Sequence, residues 1–247
     1  MVSIAQLQNL LAADPYQELC CEINLDLYDS PAMKSLATQA AVGRQLRVTD
    51  PLHGIDPQGA IAVELCEDNY PGWIAAENLK YLIPATEAYL PILLKQADIA
   101  PHLPQAIAFT QSAMRQPNTY LWGGTVGPNY DCSGLMQAAF IAQGVWLPRD
   151  AYQQEAFVQT IDLDDAAPGD LVFFGSPERC THEGLYLGDR HYIHSSGKSQ
   201  GRNGIGIDIL SDEGDIVSQR YWAQFRSIGR ITQSYRAKSH GKGTKSL

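Results

Sequence analysis

Cys132 opens an apolar stretch, Cys132 to Gln143, that reads as a helix closed by Gly144. The cysteine lies in Asp131-Cys132-Ser133-Gly134, behind a loop from Tyr120 to Tyr130 that carries three glycines and one proline. The first amides of a helix are unpaired and carry partial positive charge. A thiol placed there ionises more easily, and the thiolate is the nucleophile. The plainer alternative is a small buried hydrophobe, the usual fate of a cysteine. His182 tips the balance. It begins Thr181-His182-Glu183-Gly184-Leu185-Tyr186-Leu187-Gly188, which reads as a strand with His182, Gly184 and Tyr186 on one face. Gly184 leaves clearance beside the ring. An imidazole there can take the thiol's proton and return it to a leaving amine. His194, on the next expected strand, can accept from the His182 ring and fix its tautomer; a plain surface or core histidine is the alternative.

A metal would be the rival use of these side chains. His191 and His194 stand three apart on a strand and so point to opposite faces, while Cys180 and His182 share one. No spacing matches a zinc pattern, so neither metal nor cofactor is expected. Gly201-Arg202-Asn203-Gly204-Ile205-Gly206 lacks the strand-to-helix context of a phosphate loop and reads as a hairpin turn.

The elements that must position these residues fall into two groups. Ile4, Leu7, Leu10 and Leu11 are spaced as an amphipathic helix. Cys20 to Leu27 alternates as one strand, with Ile23, Leu25 and Leu27 inward. Gln45–Thr49, Ala60–Cys66 and Trp73–Ala76 read as further strands, broken at Tyr28-Asp29-Ser30-Pro31, Asp50-Pro51-Leu52-His53-Gly54 and Glu67–Gly72. Several short strands between turns suggest a small barrel over residues 1–85. Pro84 to Pro104 reads as a connector with a short helix, Gln105–Met114 as a helix, and a further short helix follows the N-cap Asp150. Strands are expected at Asp170–Phe174, His182–Leu187, His191–His194 and Ile205–Leu210. Helices first and antiparallel strands afterwards make residues 86–235 an α+β domain. Residues 236–247 are small, polar and basic, and read as a disordered tail.

Of the 247 residues, 27 are acidic and 18 basic, for a net charge of −9, and four of the basic ones sit in that tail. So acidic a body argues against nucleic acid and against an anionic wall or membrane surface. No stretch approaches the roughly 20 apolar residues of a membrane span. Met1 to Leu10 has neither a basic start nor an apolar run, so no secretory signal is expected. Five cysteines, an odd number that includes the adjacent Cys20 and Cys21, suggest free thiols and a reducing compartment. The cytoplasm is the expected location, with the periplasm as the alternative.

Six blocks in order carry a family resemblance: Tyr120-Leu121-Trp122-Gly123-Gly124, Asp131-Cys132-Ser133-Gly134-Leu135, Leu147-Pro148-Arg149-Asp150, Pro168-Gly169-Asp170-Leu171-Val172-Phe173-Phe174, His182 to Gly188, and Ile193-His194. From about Gln105 to Thr232 the chain resembles the NlpC-type cysteine peptidases of bacterial cell walls. The resemblance implies a papain-like α+β fold, Cys132 as nucleophile, His182 as base and His194 as orienting group. It also implies cleavage of the γ-D-glutamyl bond in murein stem peptides. Two positions depart from the pattern: Glu183 stands where an apolar residue is usual, and Ala151 where Ser or Thr is common. Leu25-Asp26-Leu27-Tyr28-Asp29-Ser30-Pro31, Val48-Thr49 and Tyr70-Pro71-Gly72-Trp73-Ile74 with Tyr81-Leu82 resemble bacterial SH3-like barrels. The pairing is similar to cyanobacterial γ-D-glutamyl-L-diamino acid endopeptidases, which implies a substrate with a free N-terminal L-Ala, such as L-Ala-γ-D-Glu-diaminopimelate. A free ammonium needs a carboxylate in a closed pocket. The candidate contacts are Asp131, which equally suits a helix N-cap, with Tyr70, Tyr120, Trp122 and Ser133. The competing functions are a lytic hydrolase of intact wall, a non-catalytic binding module, and a thiol-dependent amidase or acyltransferase.

Overall fold

The computed structural model describes residues 2–50 and 59–237. All but Asp50 of the break expected at Asp50-Pro51-Leu52-His53-Gly54, and most of the basic tail, lie outside these residues.

The chain starts with helix α1 (Ile4–Ala13), capped by Ser3, whose side chain accepts from the Gln6 amide. Leu7 and Leu11 are buried, and Ile4 is exposed. Strands β1 (Glu18–Cys21), β2 (Leu25–Tyr28), β3 (Leu36–Ala40), β4 (Gln45–Val48), β5 (Ala60–Leu65), β6 (Pro71–Ala75) and β7 (Leu82–Pro84) follow. They pair antiparallel in the order β3-β2-β6-β5-β4-β1-β7. Alternate residues, among them Leu25, Leu27, Leu46, Val63 and Ile74, share one core with Leu7 and Leu11.

The single strand expected over Cys20–Leu27 is two. β1 pairs with β4 and β7, whereas β2 pairs with β3 and β6, so the chain changes neighbours at Glu22–Asn24. The Asn24 side chain accepts from the Val42 amide there, and Ile23, expected inside, is exposed.

The second group contains α2 (Gln96–Ile99), α3 (Leu103–Met114), α4 (Cys132–Ile141), α5 (Ala151–Phe157), β8 (Gln159–Ile161), β9 (Leu171–Ser176), β10 (Arg179–Gly188), β11 (His191–Ser196), β12 (Gly204–Ile209), α6 (Ile216–Trp222) and β13 (Phe225–Arg230). Six strands form an antiparallel sheet in the order β12-β11-β10-β9-β13-β8. One face packs Leu171, Phe173, Leu185 and Ile193 against α3, α4 and α5. The other packs Val172, Phe174, Tyr186 and Tyr192 against Val217 and Tyr221 of α6. Both faces are covered, so β9 and β10 carry long apolar runs instead of clean alternation. Sequence reading missed β3, β7, β8, α6 and β13.

The two groups are joined by specific hydrogen bonds. Gln39 Oε1 accepts from the Thr125 and Val126 amides, each at 3.1 Å. Gln137 donates to Asp68 at 3.0 Å, and Arg149 Nε donates to the Thr38 hydroxyl at 2.8 Å. Gly123, at φ +78°, has room for no Cβ, because one would lie 2.8 Å from the Leu36 carbonyl oxygen. Among the described residues no helix is long and apolar enough to cross a membrane.

Candidate active site

Cys132 is the first residue of α4, and Asp131 is its N-cap, with Oδ1 accepting from the Gly134 amide at 2.6 Å. A Cβ on Gly134 would collide with the Gly124 carbonyl oxygen, so glycine lets the preceding loop fold onto the start of the helix. Asp131 Oδ2 accepts from the Gly123 amide at 2.9 Å, which fastens the loop from its other end. The same carboxylate is paired with buried Arg149, whose Nη2 lies 2.6 Å from Oδ2. Arg149 Nη1 also donates to Ser133 Oγ at 2.9 Å. Asp131 is therefore cap, loop clamp and ion-pair partner together.

α4 packs on β10, and the amides of Glu183 and Ser133 lie beside the Cys132 sulfur, where they favour thiolate. Burial, then the charge of Asp131, outweighs them and holds the thiol well above its ordinary range. The easy ionisation expected from the helix terminus alone does not hold at rest, and the sulfur needs a base.

His182 supplies an imidazole on the adjoining strand. A Cβ on Gly184 would come within 2.8 Å of the Tyr192 ring and 3.1 Å of His194 Cβ, so glycine brings β10 and β11 together beside the two histidines. His182 Nε2 and His194 Nδ1 are 2.6 Å apart, and His194 Nε2 and Asp208 Oδ2 are also 2.6 Å apart. Burial opposes ionisation of Asp208, but hydrogen bonds from His194 and Arg202 prevail and hold its carboxyl below the usual carboxylate range. The protons then have one consistent order. His194 donates through Nε2 to Asp208 and accepts at Nδ1 from His182 Nε2–H, so His182 keeps a lone pair on Nδ1. Burial, then the neighbouring His194, pulls His182 well below the ordinary imidazole range, and it rests neutral at pH 7. The Tyr221 ring stacks on it at 4.3 Å between centroids.

The sulfur opens on a cleft of about 690 Å³. Tyr70, Tyr120, Trp122, Asp131 and Ser133 all line it with Cys132, as do Asp29, Leu36 and Ala37 from the first sheet. The Tyr70 hydroxyl donates to Asp150 at 3.1 Å and ties the first sheet to the start of α5. His182 and His194 are buried on β10 and β11 and do not line the cleft. Among the described residues no cluster of His, Cys, Asp and Glu could hold a metal ion. All five cysteines are free thiols.

Sequence reading missed Asp208, Arg202 and Tyr221. The signal for Asp208 was present, since it is a lone charge in the apolar strand Gly204-Ile205-Gly206-Ile207-Asp208-Ile209. A Cβ on Gly206 would strike the Arg202 guanidinium that reaches this carboxylate.

Glu183 is fully buried, and neither carboxyl oxygen has a hydrogen-bond partner among the described residues. Burial, then the Asp131 charge, raises its pKa well above the ordinary range, so it is held uncharged. An acid whose folded pKa is raised contributes most stability below its unfolded pKa and loses it as pH climbs toward the folded one. Glu183→Leu is therefore expected to raise stability near pH 7 by about 1–3 kcal/mol. The gain should shrink toward pH 4.5, the ordinary glutamate value. Urea unfolding at pH 5 and pH 8 tests this, and an equal effect at both would show that Glu183 does not titrate.

Comparison with known proteins follows this geometry. The sequence profile of the NlpC/P60 family matches residues 117–227, and that of the bacterial dipeptidyl-peptidase SH3 domain matches residues 27–79. The gamma-D-glutamyl-L-lysine dipeptidyl-peptidase of Bacillus subtilis (strain 168) is 45% identical over 95 residues, 37% of this chain and 30% of that protein. Dipeptidyl-peptidase 6 of Lysinibacillus sphaericus is 31% identical over 139 residues, 54% of this chain and 48% of that protein. The bifunctional muramidase/DL-endopeptidase CwlT of Bacillus subtilis (strain 168) is 40% identical over 116 residues, 45% of this chain and 32% of that protein. The chain thus spans a third to a half of the length of these relatives. A region matching the bacterial dipeptidyl-peptidase SH3 domain precedes a region that matches the NlpC/P60 family and contains Cys132, His182 and His194.

Proposed function

We infer that the chain is a cysteine peptidase that hydrolyses the γ-D-glutamyl–diamino acid bond of short murein peptides with a free N-terminal L-Ala. The observation that carries this reading is the hydrogen-bonded chain Asp208–His194–His182, whose two histidines lie on the strands against which the Cys132 helix packs, with Cys132 lining a cleft that residues of the first group also line. His182 Nδ1 takes the Cys132 proton as the sulfur attacks the γ-carbonyl carbon. The proton then passes to the leaving amine as the C–N bond breaks, and a thioester remains. Water activated by the same nitrogen hydrolyses the thioester and restores the thiol.

The preference for a short peptide follows from the walls. Asp29, Leu36, Ala37 and Tyr70, all from the first group of elements, line the cleft beside Cys132, a wall that suits a short peptide better than a polymer. Asp29, Asp131 and Asp150 line the cleft with two cations, Arg149, which is paired with Asp131, and Arg179, so one carboxylate remains to meet an ammonium. Two similar proteins are named dipeptidyl-peptidases, one of them for γ-D-glutamyl-L-lysine. The cytoplasm is the proposed location.

Product analysis on L-Ala-γ-D-Glu-diaminopimelate tests the proposal. Release of L-Ala-γ-D-Glu and free diaminopimelate is expected. Release of L-Ala, or of soluble fragments from intact peptidoglycan at a comparable rate, would overturn it.

A further inference from the structure

Arg179 stands at the start of β10, just past the β9–β10 turn, and its side chain is exposed. It lines the Cys132 cleft together with Tyr152, Cys180 and Thr181. Its guanidinium lies over the Tyr152 ring, 4.2 Å from the centroid, in the geometry of a cation–π contact. That contact fixes the direction of a long side chain without using its N–H donors. The other cation of the cleft, Arg149, is buried and spends its donors on Asp131, Ser133 and Thr38. Among the described residues Arg179 forms no ion pair.

The substrate inferred above brings a complementary problem. Its scissile bond is flanked by two carboxylates, one on the α-carbon of D-Glu and one on the diamino acid beside the leaving nitrogen. Both must enter a cleft already lined by Asp29, Asp131 and Asp150. Like charges at such range oppose binding unless a cation meets the incoming group. A planar guanidinium with free, oriented N–H groups matches a carboxylate in two-pronged geometry. We propose that Arg179, held in place by Tyr152, is a specificity-determining residue that binds a substrate carboxylate flanking the scissile bond. This rests on the murein-peptide reading of the cleft.

The test compares wild type, Arg179→Gln and Arg179→Lys on three peptides: L-Ala-γ-D-Glu-diaminopimelate, the same peptide with the D-Glu carboxylate as carboxamide, and the same peptide with the adjacent diamino acid carboxylate as carboxamide. Arg179→Gln should lower kcat/KM on the unmodified peptide by roughly 10- to 100-fold. Arg179→Lys should lose less. The Arg179→Gln loss should vanish on one of the two amides and persist on the other, and the amide that abolishes it names the carboxylate bound. Thermal unfolding should be unchanged, since the side chain is exposed. An equal loss on all three peptides, or no loss on any, would overturn the role of Arg179 while leaving the substrate reading intact. Failure of wild type to cleave any of the three would overturn both.

Discussion

Cys132→Ala is expected to give a folded protein whose kcat/KM on the tripeptide falls by roughly 10⁴-fold or more, to the limit of detection. The sulfur is the covalent centre of the proposed reaction, and no neighbour can replace it. Cys20, Cys21 and Cys66 belong to the first group of strands. Cys180 lines the same cleft, but its thiol faces the His182 carbonyl oxygen at 3.4 Å, and burial raises its pKa to about 12. Alanine at each of these four positions should keep most of the activity. The assay is steady-state hydrolysis, with thermal unfolding to show that each variant is folded. Turnover by Cys132→Ala near the wild-type rate would exclude the covalent route.

The second large effect concerns the amino end of the substrate. N-acetylation of L-Ala removes its charge and adds bulk in a cleft bounded by the first sheet. A carboxylate left without its cation in such a place costs a few kcal/mol, so kcat/KM should fall by about 10²-fold or more. Intact peptidoglycan carries its L-Ala as an amide and should be refused for the same reason. Comparable rates on free and acetylated tripeptide would favour a wall-lytic enzyme. The substrate is a cleaner probe than Asp131→Asn here. Asparagine would cap α4 as well as aspartate does, but it would leave the buried Arg149 without its counter-charge, at a cost of about 3–5 kcal/mol in stability. The structure thus turns a residue expected to meet the substrate into one that also holds the site together.

Much of the site was legible because its signals are local. A cysteine after an N-cap, glycines where backbones must touch, and a histidine on an apolar strand all speak within a few residues of themselves. What escaped depends on distant partners. β13 reads Phe-Arg-Ser-Ile-Gly-Arg and shows no alternation of apolar and polar residues. It is ordered by ion pairs from Arg226 to Glu155 and from Arg230 to Asp170, and Gly229 has Val158 packed where its Cβ would be. α6 is two turns long, too short for a helical period to show, and is set by its Asp215 cap. Glu183 stood out as a departure at an apolar position. Only the packed structure shows it enclosed without a partner. The broken strand at Ile23 kept its alternation across a change of neighbours, which a period of two cannot register.

The bond from Arg149 to Thr38 bears on how such a protein can be recombined. Thr38 is fully buried and belongs to a strand of the first sheet, yet it serves the arginine that neutralises Asp131 beside the nucleophile. A chimera that replaced this SH3 domain with another of similar shape would have to reproduce one hydroxyl at one register of one strand. The two regions match distinct sequence profiles, but this bond makes them one mechanical part.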